Sequence, residues 1–327
     1  MDKIIRWGIV GTGGIARRFA EACKNTPGAS LAAVASRSQK TADAFADKFA
    51  IEKRFASYED MASSDDIDIA YIATPHGTHA PNAILFMNAG KAVMTEKPAA
   101  VNLRQLDSMI ESAKKNDVFF MEAMWARLAP GTYKALEIVN SGVLGKIGCV
   151  QGSFCFEMYD EPDHHVFDPA QGGGSLLDVG CYALSFSSWY LGNNPIEIKA
   201  VADIGKTGVD EHCCVLMKYP GGEIAQLSSA IMLPKPNEGY IFGEKGYLYM
   251  KRFYAPQKIE MHLSGKDMQE IDCPYIGNGF EEQILEASGC LREGRKESTI
   301  ITHEQSRLIA GQMDAIRALI GVKYPAD

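Results

Sequence analysis

The segment that most constrains this chain is GIVGTGGIA, residues 8–16. It sets Gly11, Gly13 and Ala16 in the spacing G-x-G-x-x-A, directly after the apolar run IIRWGIV (4–10). The positions that follow, Ile15, Phe19, Ala22 and Cys23, recur with a helical period. Strand, glycine turn, helix is the context in which this spacing reads as a dinucleotide-binding loop. Gly11 permits the tight turn, Gly13 lets the backbone approach a pyrophosphate, and Ala16 lets the helix pack on the strand. The backbone N–H groups over Thr12, Gly13, Gly14 and Ile15, at a helix N-terminus, are suited to an anion.

The next hundred residues repeat the alternation. LAAVAS (31–36), IDIAYIAT (67–74), KAVMTEK (91–97) and VFFMEAM (118–124) read as strands, and IDIAYIAT is nearly continuously apolar. Such a run suits a parallel strand covered on both faces. Between them, Ala42, Phe45, Ala46 and Phe49 mark one helix, Pro81 to Asn88 another, and Asn102 caps a third. Repeated β-α-β units imply a doubly wound Rossmann domain over residues 1–123.

After Trp125 the pattern changes. A helix at 131–140 precedes alternating segments at 146–158, 196–204, 211–219, 222–233 and 247–253, with helices near 175–191, 280–293 and 303–320. Period-2 alternation with Gly and Pro turns predicts an open, mainly antiparallel sheet in an α/β domain over 124–327, which would bind substrate and mediate oligomerisation. A face of such a sheet is usually covered, so a homodimer or dimer of dimers is expected.

Charge excludes one class of partner. The chain has 33 basic and 41 acidic residues, net −8, and the excess acid lies beyond residue 122. Nucleic-acid binding needs clustered Lys and Arg, so none is expected. No apolar run approaches the ~18 residues of a membrane span, and the N-terminus lacks a signal-peptide core, which predicts a cytoplasmic protein. The eight cysteines form no C-x-x-C pair and no zinc-like cluster, so no metal is expected and they read as small buried hydrophobes.

The second strand ends in Ser36 and Arg37, where a carboxylate for a ribose 2′-OH would be expected. A carboxylate repels a 2′-phosphate, whereas Arg offers a charged fork and Ser a hydroxyl. This predicts NADP(H) over NAD(H), with NAD(H) use also open.

Three further segments resemble one family. They are ATPHGTHAPNA (73–83), TEKPAA (95–100) and QGGGSLLDVGCY (171–182). With the glycine loop, in this order, they resemble the glucose–fructose oxidoreductase / inositol dehydrogenase / MocA family. MEAMWARLAP (121–130) is similar to its trans-dihydrodiol dehydrogenase and NADP-dependent D-xylose dehydrogenase branch. One departure is His76, where the family often has Asn after the Pro.

The resemblance implies hydride transfer between a nicotinamide and a hydroxyl or carbonyl carbon of a sugar, cyclic polyol or dihydrodiol. It implies cofactor contacts at Thr74, Pro75, His76, His79, Glu96 and Lys97. An acid/base must stand beside the reacting oxygen. Tyr182 is the first candidate, with Lys97 as the cation beside it or as the proton carrier. Moving a phenol from its usual ~10 to neutrality takes ~4 kcal/mol of phenolate stabilisation, which a cation in a dry site can supply. Asp178, four residues earlier, would share a helix face with Tyr182 and orient a substrate hydroxyl or hold Lys97 charged. Trp125, Phe154, Phe156 and Phe280 could form an apolar wall for a sugar or diol. Arg127 is left between reaching the cofactor and tying the domains together. His164 and His165 lie in a polar loop and read as solvated. Two other functions share this fold: a redox-assisted glycosidase that holds NAD, and a non-enzymatic NADP-binding regulator.

Overall fold

The computed structural model describes residues 3–159 and 163–327. Among these, the chain packs as two compact units. One comprises Met1–Trp125 with Ile276–Arg307, the other Ala126–Tyr275 with Leu308–Asp327.

The first unit runs β1 (Ile5–Val10), α1 (Gly14–Asn25), β2 (Ala29–Ala35), α2 (Gln39–Phe49), β3 (Lys53–Phe55), α3 (Tyr58–Ser63), β4 (Ile69–Ile72), α4 (His79–Asn88), β5 (Ala92–Glu96), α5 (Leu103–Lys115) and β6 (Phe120–Ala123). The strands form one parallel sheet in the order β3-β2-β1-β4-β5-β6. Their apolar runs are buried on both faces, with Ile9, Val10, Ile69, Ile72, Val93 and Met94 inaccessible. Strand order reverses between β1 and β4, so the loops leaving these two strands open a crevice at the carboxyl edge. Asn102 caps α5 by accepting the Gln105 N–H, as expected of that residue.

The second unit contains α6 (Pro130–Asn140), β7 (Ile147–Cys155), one π-helical turn (Leu176–Gly180) running into α7 (Cys181–Leu191), then β8 (Glu197–Ile204), β9 (Asp210–Lys218), β10 (Ile224–Ala230), β11 (Glu238–Gly243), β12 (Gly246–Lys251), β13 (Lys258–Leu263) and β14 (Gln269–Asp272). Its eight-stranded sheet has the order β14-β13-β12-β11-β7-β10-β9-β8. All pairs are antiparallel except β7 with β10. α7 packs on β7 and β10. The other face carries exposed Val201 and Leu216 on neighbouring strands. The chain closes with α8 (Glu281–Arg292), which packs on α1 and β2 of the first unit, and α9 (His303–Ile320).

Candidate active site

The glycine loop joins β1 to α1 through a tight turn. Gly11 has φ +101, and a Cβ there would meet the Ala73 carbonyl oxygen at 2.7 Å. The turn therefore admits glycine alone, and Gly11 N–H is tied to Ala35 O at 2.9 Å. Gly13 and Gly14 are different: a Cβ at either would face open space for 4 Å. α1 starts there with no side-chain cap and no acid in its first turn, whereas α2, α3 and α5 are capped by Ser38, Ser57 and Asn102. An exposed, uncapped helix start lined by two bare glycines leaves its first N–H groups open to an anion. Thr12 and Ile15 flank it, half-buried.

At the end of β2 the two candidates part. Ser36 is buried and its hydroxyl meets Thr41 Oγ1 at 2.6 Å. Arg37 is exposed and has no ion pair among the described residues. Arg37 is thus an exposed cation at the end of β2, while Ser36 shapes the turn into α2.

The loop after β4 carries Thr74 and Pro75, both half-buried, and then His76 and His79, which are buried. The His79 ring spans two backbone carbonyls, Thr74 O at 2.7 Å and Pro98 O at 2.9 Å. It joins the β4 loop to the Lys97-Pro98 segment and so acts on the site by fixing those two loops. His76 stands edge-on to it at 5.5 Å.

Lys97 follows β5 on the same carboxyl edge as Gly11, half-buried, and its charge reaches the carboxyl groups of Glu96 and Glu122. Glu96 accepts the Tyr71 hydroxyl and the Lys97 N–H. Burial pushes its carboxyl up to about 7, against the pull of Tyr71 and of the Lys97 charge. Glu122, on β6, accepts the Ala99 N–H at 3.0 Å and the Ser306 hydroxyl at 2.5 Å. Burial raises it too, and the Lys97 charge again opposes. Glu96 is therefore an internal support of the Lys97 segment.

Trp125 and Phe280 also belong to the first unit. Both are buried, their rings 5.2 Å apart, with the Arg18 guanidinium 4.7 and 4.5 Å from the two ring centres.

In the second unit the GGGSLLDVGCY segment folds into the π-helical turn and the start of α7. Asp178 lies in the π turn, half-buried, and Tyr182 in the first turn of α7, buried. π-helical turns concentrate at functional sites. Tyr182 packs 5.4 Å from Phe154 and 5.8 Å from Tyr254, and Phe154 and Tyr254 stack nearly parallel at 3.9 Å. Trp125 pairs with Phe280, Phe154 pairs with Tyr182, and Phe156 packs elsewhere, against Val166, Phe167 and Ile231. Arg127 lies in this unit beside the rings of Tyr133 and Trp189, with Nε and Nη1 buried and lacking hydrogen-bond partners. His164 and His165 are half-buried, their rings 4.1 Å apart, and residues 160–162 of their loop lie outside the described residues.

Comparison with known proteins agrees with this geometry. Residues 5–124 match the oxidoreductase family with an NAD-binding Rossmann fold, and residues 132–249 match the GFO/IDH/MocA C-terminal domain. The chain belongs to the GFO/IDH/MocA oxidoreductase family. It is 36% identical to the trans-1,2-dihydrobenzene-1,2-diol dehydrogenase of Mus musculus and 32% identical to that of Homo sapiens, each over 99% of both chains. Among solved structures it resembles a 3-ketoreductase from Actinomadura kijaniata in complex with NADP and TDP-benzene, with a TM-score of 0.89 at 24% identity over 97% of this chain and 98% of that one. An aldose-aldose oxidoreductase from Caulobacter crescentus also superposes with a TM-score of 0.89, at 24% identity over 97% of each chain.

Three residues packed against these groups were not singled out from the sequence. Tyr254 lies in an irregular segment after β12 and meets Phe154 only in three dimensions. Tyr71 looks like any core residue of a parallel strand. Glu122 did carry a signal, because a single acid interrupts an otherwise apolar strand.

Proposed function

We propose that this protein is an NADP(H)-dependent oxidoreductase acting on a secondary or anomeric hydroxyl of a dihydrodiol, sugar or cyclic polyol, or on the corresponding carbonyl. The observation that carries the reading is the bare, uncapped start of α1 at the sheet's reversal point, with Lys97 on the same carboxyl edge. A bound nicotinamide supplies or accepts the hydride. Gly11, Thr12, Gly13, Gly14 and Ile15 would hold its phosphates, and Arg37 would hold a 2′-phosphate, which favours NADP(H). Thr74, Pro75 and His76 would complete the cofactor's edge, with His79 and Glu96 supporting from beneath.

The substrate oxygen loses a proton as its carbon gives up hydride. Tyr182 takes that proton, and Lys97 stabilises the developing charge. Asp178 orients a substrate hydroxyl. The aromatic faces of Phe154 and Tyr254 beside Tyr182 suit the C–H face of a ring. The identity to dihydrodiol dehydrogenases supports a cyclic diol as the first substrate to try. All eight cysteines are free thiols, which supports a cytoplasmic setting. The exposed Val201 and Leu216, beside a groove of about 480 Å³ on the second sheet, support a homodimer through that face.

The test is a panel of trans-dihydrodiols, aldoses and polyols offered with NADP⁺ and with NAD⁺, followed by nicotinamide absorbance. Turnover with at least one diol or sugar, faster with NADP⁺, is expected. No net reduction with any of them, together with NAD that stays bound through dialysis, would replace this reading with a redox-assisted glycosidase.

A further inference from the structure

The segment that carries Asp178 and Tyr182 is not capped by its own residues. Ser175 precedes the π turn, yet its hydroxyl makes no cap; it meets Asp210 Oδ2 at 2.7 Å and Ser229 Oγ at 2.9 Å. The Leu176 N–H goes to the same Asp210 oxygen, also at 2.7 Å. Asp210 is the first residue of β9, wholly inaccessible, so a neighbouring strand provides the cap. A carboxylate at a helix N-terminus satisfies an orphan N–H and complements the dipole.

The same loop is gripped from another direction. Gly174 has φ +108, and a Cβ there would lie 2.4 Å from Asp210 Oδ1 and 3.3 Å from the Tyr324 hydroxyl. The carboxylate and the phenol therefore occupy the space a side chain would need. Tyr324 donates to Gly173 O at 2.6 Å. Tyr324 is fixed in turn: its N–H goes to Asp327 Oδ2 at 2.8 Å, and Arg317 lies over its ring at 4.8 Å while pairing with Asp327 at 2.7 Å. On the opposite side, a Cβ at Gly180 would be 3.1 Å from Ser229 Oγ, so the π turn rests against the same serine that holds Ser175.

We propose that Asp210 and Tyr324 are positioning residues that set the register of the π turn and α7, and so the placement of Asp178 and Tyr182. This rests on the roles given to those two residues under Proposed function. Asp210 holds the amide end of the segment, and Tyr324 holds the carbonyl of the glycine turn that leads into it. Neither touches the reacting atoms; both act through Tyr182 and Asp178.

The test is a double-mutant cycle in the full-length protein, with a diol or sugar it turns over. Asp210→Ala is expected to lower kcat by about 30–100-fold, the scale of an ångström misplacement of an acid/base. KM for NADP(H) should move less than about twofold, because the cradle belongs to the first unit. Asp210→Asn keeps an oxygen for the Leu176 N–H and should recover kcat to within about fivefold of wild type. Tyr324→Phe should lower kcat by about 5–10-fold, the value of one buried hydrogen bond. Introduced into Tyr182→Phe, each change should cost well short of its effect in the parent, since the group it positions is gone. Multiplicative losses in that background overturn the proposal. So does an Asp210→Asn or Tyr324→Phe variant that loses stability and cofactor affinity along with kcat. A strong Tyr182→Phe effect with a harmless Asp210→Ala overturns the proposal alone. A harmless Tyr182→Phe overturns the functional reading, and the proposal with it.

Discussion

Tyr71 donates its hydroxyl hydrogen to Glu96 inside the Rossmann unit, and the same carboxyl accepts the Lys97 N–H at 3.3 Å. Burial is the larger influence and lifts the Glu96 carboxyl from its ordinary 4.5 to about 7. A raised acid binds its proton more tightly in the folded than in the unfolded chain. Its contribution is therefore present in full below pH 4.5 and is lost as pH rises through about 7. At 1.36 kcal/mol per unit the loss is about 3 kcal/mol. Glu122 is shifted in the same direction by burial and adds to the trend. Urea denaturation of the cofactor-free protein should show stability falling between about pH 5 and pH 8. Asp210, which burial lifts to about 6, adds a fall of its own, so Glu96→Gln should remove the part that extends to about pH 7 and leave the rest, and a variant whose slope equals the parent's would refute the assignment.

Gly11 and Gly13 should fail in opposite ways. An alanine at Gly11 must take φ +101 and press on the Ala73 carbonyl at 2.7 Å. That combination should cost ~2 kcal/mol or more of stability along with cofactor binding. An alanine at Gly13 has ordinary φ and meets nothing within 4 Å. Gly13→Ala should cost no more than ~1 kcal/mol of stability, the difference between glycine and alanine at a helix N-cap. Its methyl group would project into the cradle and weaken NADP(H) by about tenfold or more, or ~1.4 kcal/mol. Thermal melting and a fluorescence titration with NADPH separate the two. Equal losses of stability in both variants would argue that the cradle is only a turn.

Arg37 is exposed, so Arg37→Ala should leave the fold untouched. Losing a charged hydrogen bond to a 2′-phosphate costs about 1.5–3 kcal/mol, so NADP(H) affinity should fall about 10–100-fold while NAD(H) affinity holds. Adding Ser36→Asp should turn the preference toward NAD(H), at some cost in stability because Ser36 also bonds Thr41. Unchanged selectivity in Arg37→Ala would remove the 2′-phosphate argument.

The parts of this structure legible in the sequence are those whose signal is local. The glycine spacing, the β4 and β5 runs and the Asn102 cap each declare themselves within about ten residues. The short edge strand Lys53–Phe55 and helix Tyr58–Ser63 did not, because neither buries enough to impose a period. Strands Glu238–Gly243, Lys258–Leu263 and Gln269–Asp272 were hidden by glycine or by charge on both faces. The π turn has the composition of an ordinary helix, and the groups that meet Ser175 at its start, Asp210 and Ser229, come from other strands. The Tyr254–Phe154 stack joins residues a hundred positions apart, and the Trp125–Phe280 pair is likewise without trace in spacing.

Lys97 and Tyr182 divide the proposed proton chemistry, and their variants should tell them apart. Lys97 is half-buried, and its charge is felt by both Glu96 and Glu122. Lys97→Met keeps the length of the side chain and removes the cation. It should abolish turnover, and without that neighbouring charge the Glu96 and Glu122 carboxyl groups should be pushed up further. Tyr182→Phe keeps the ring that packs on Phe154 and Tyr254, so the aromatic cluster and melting temperature should survive. If Tyr182 carries the proton, kcat should fall by about 10²–10⁴. The parent's pH–rate profile should also lose the limb that belongs to the phenol. A mild Tyr182→Phe effect with the full pH profile intact would assign the proton to Lys97, and Lys97→Met activity near normal would exclude Lys97 from either role.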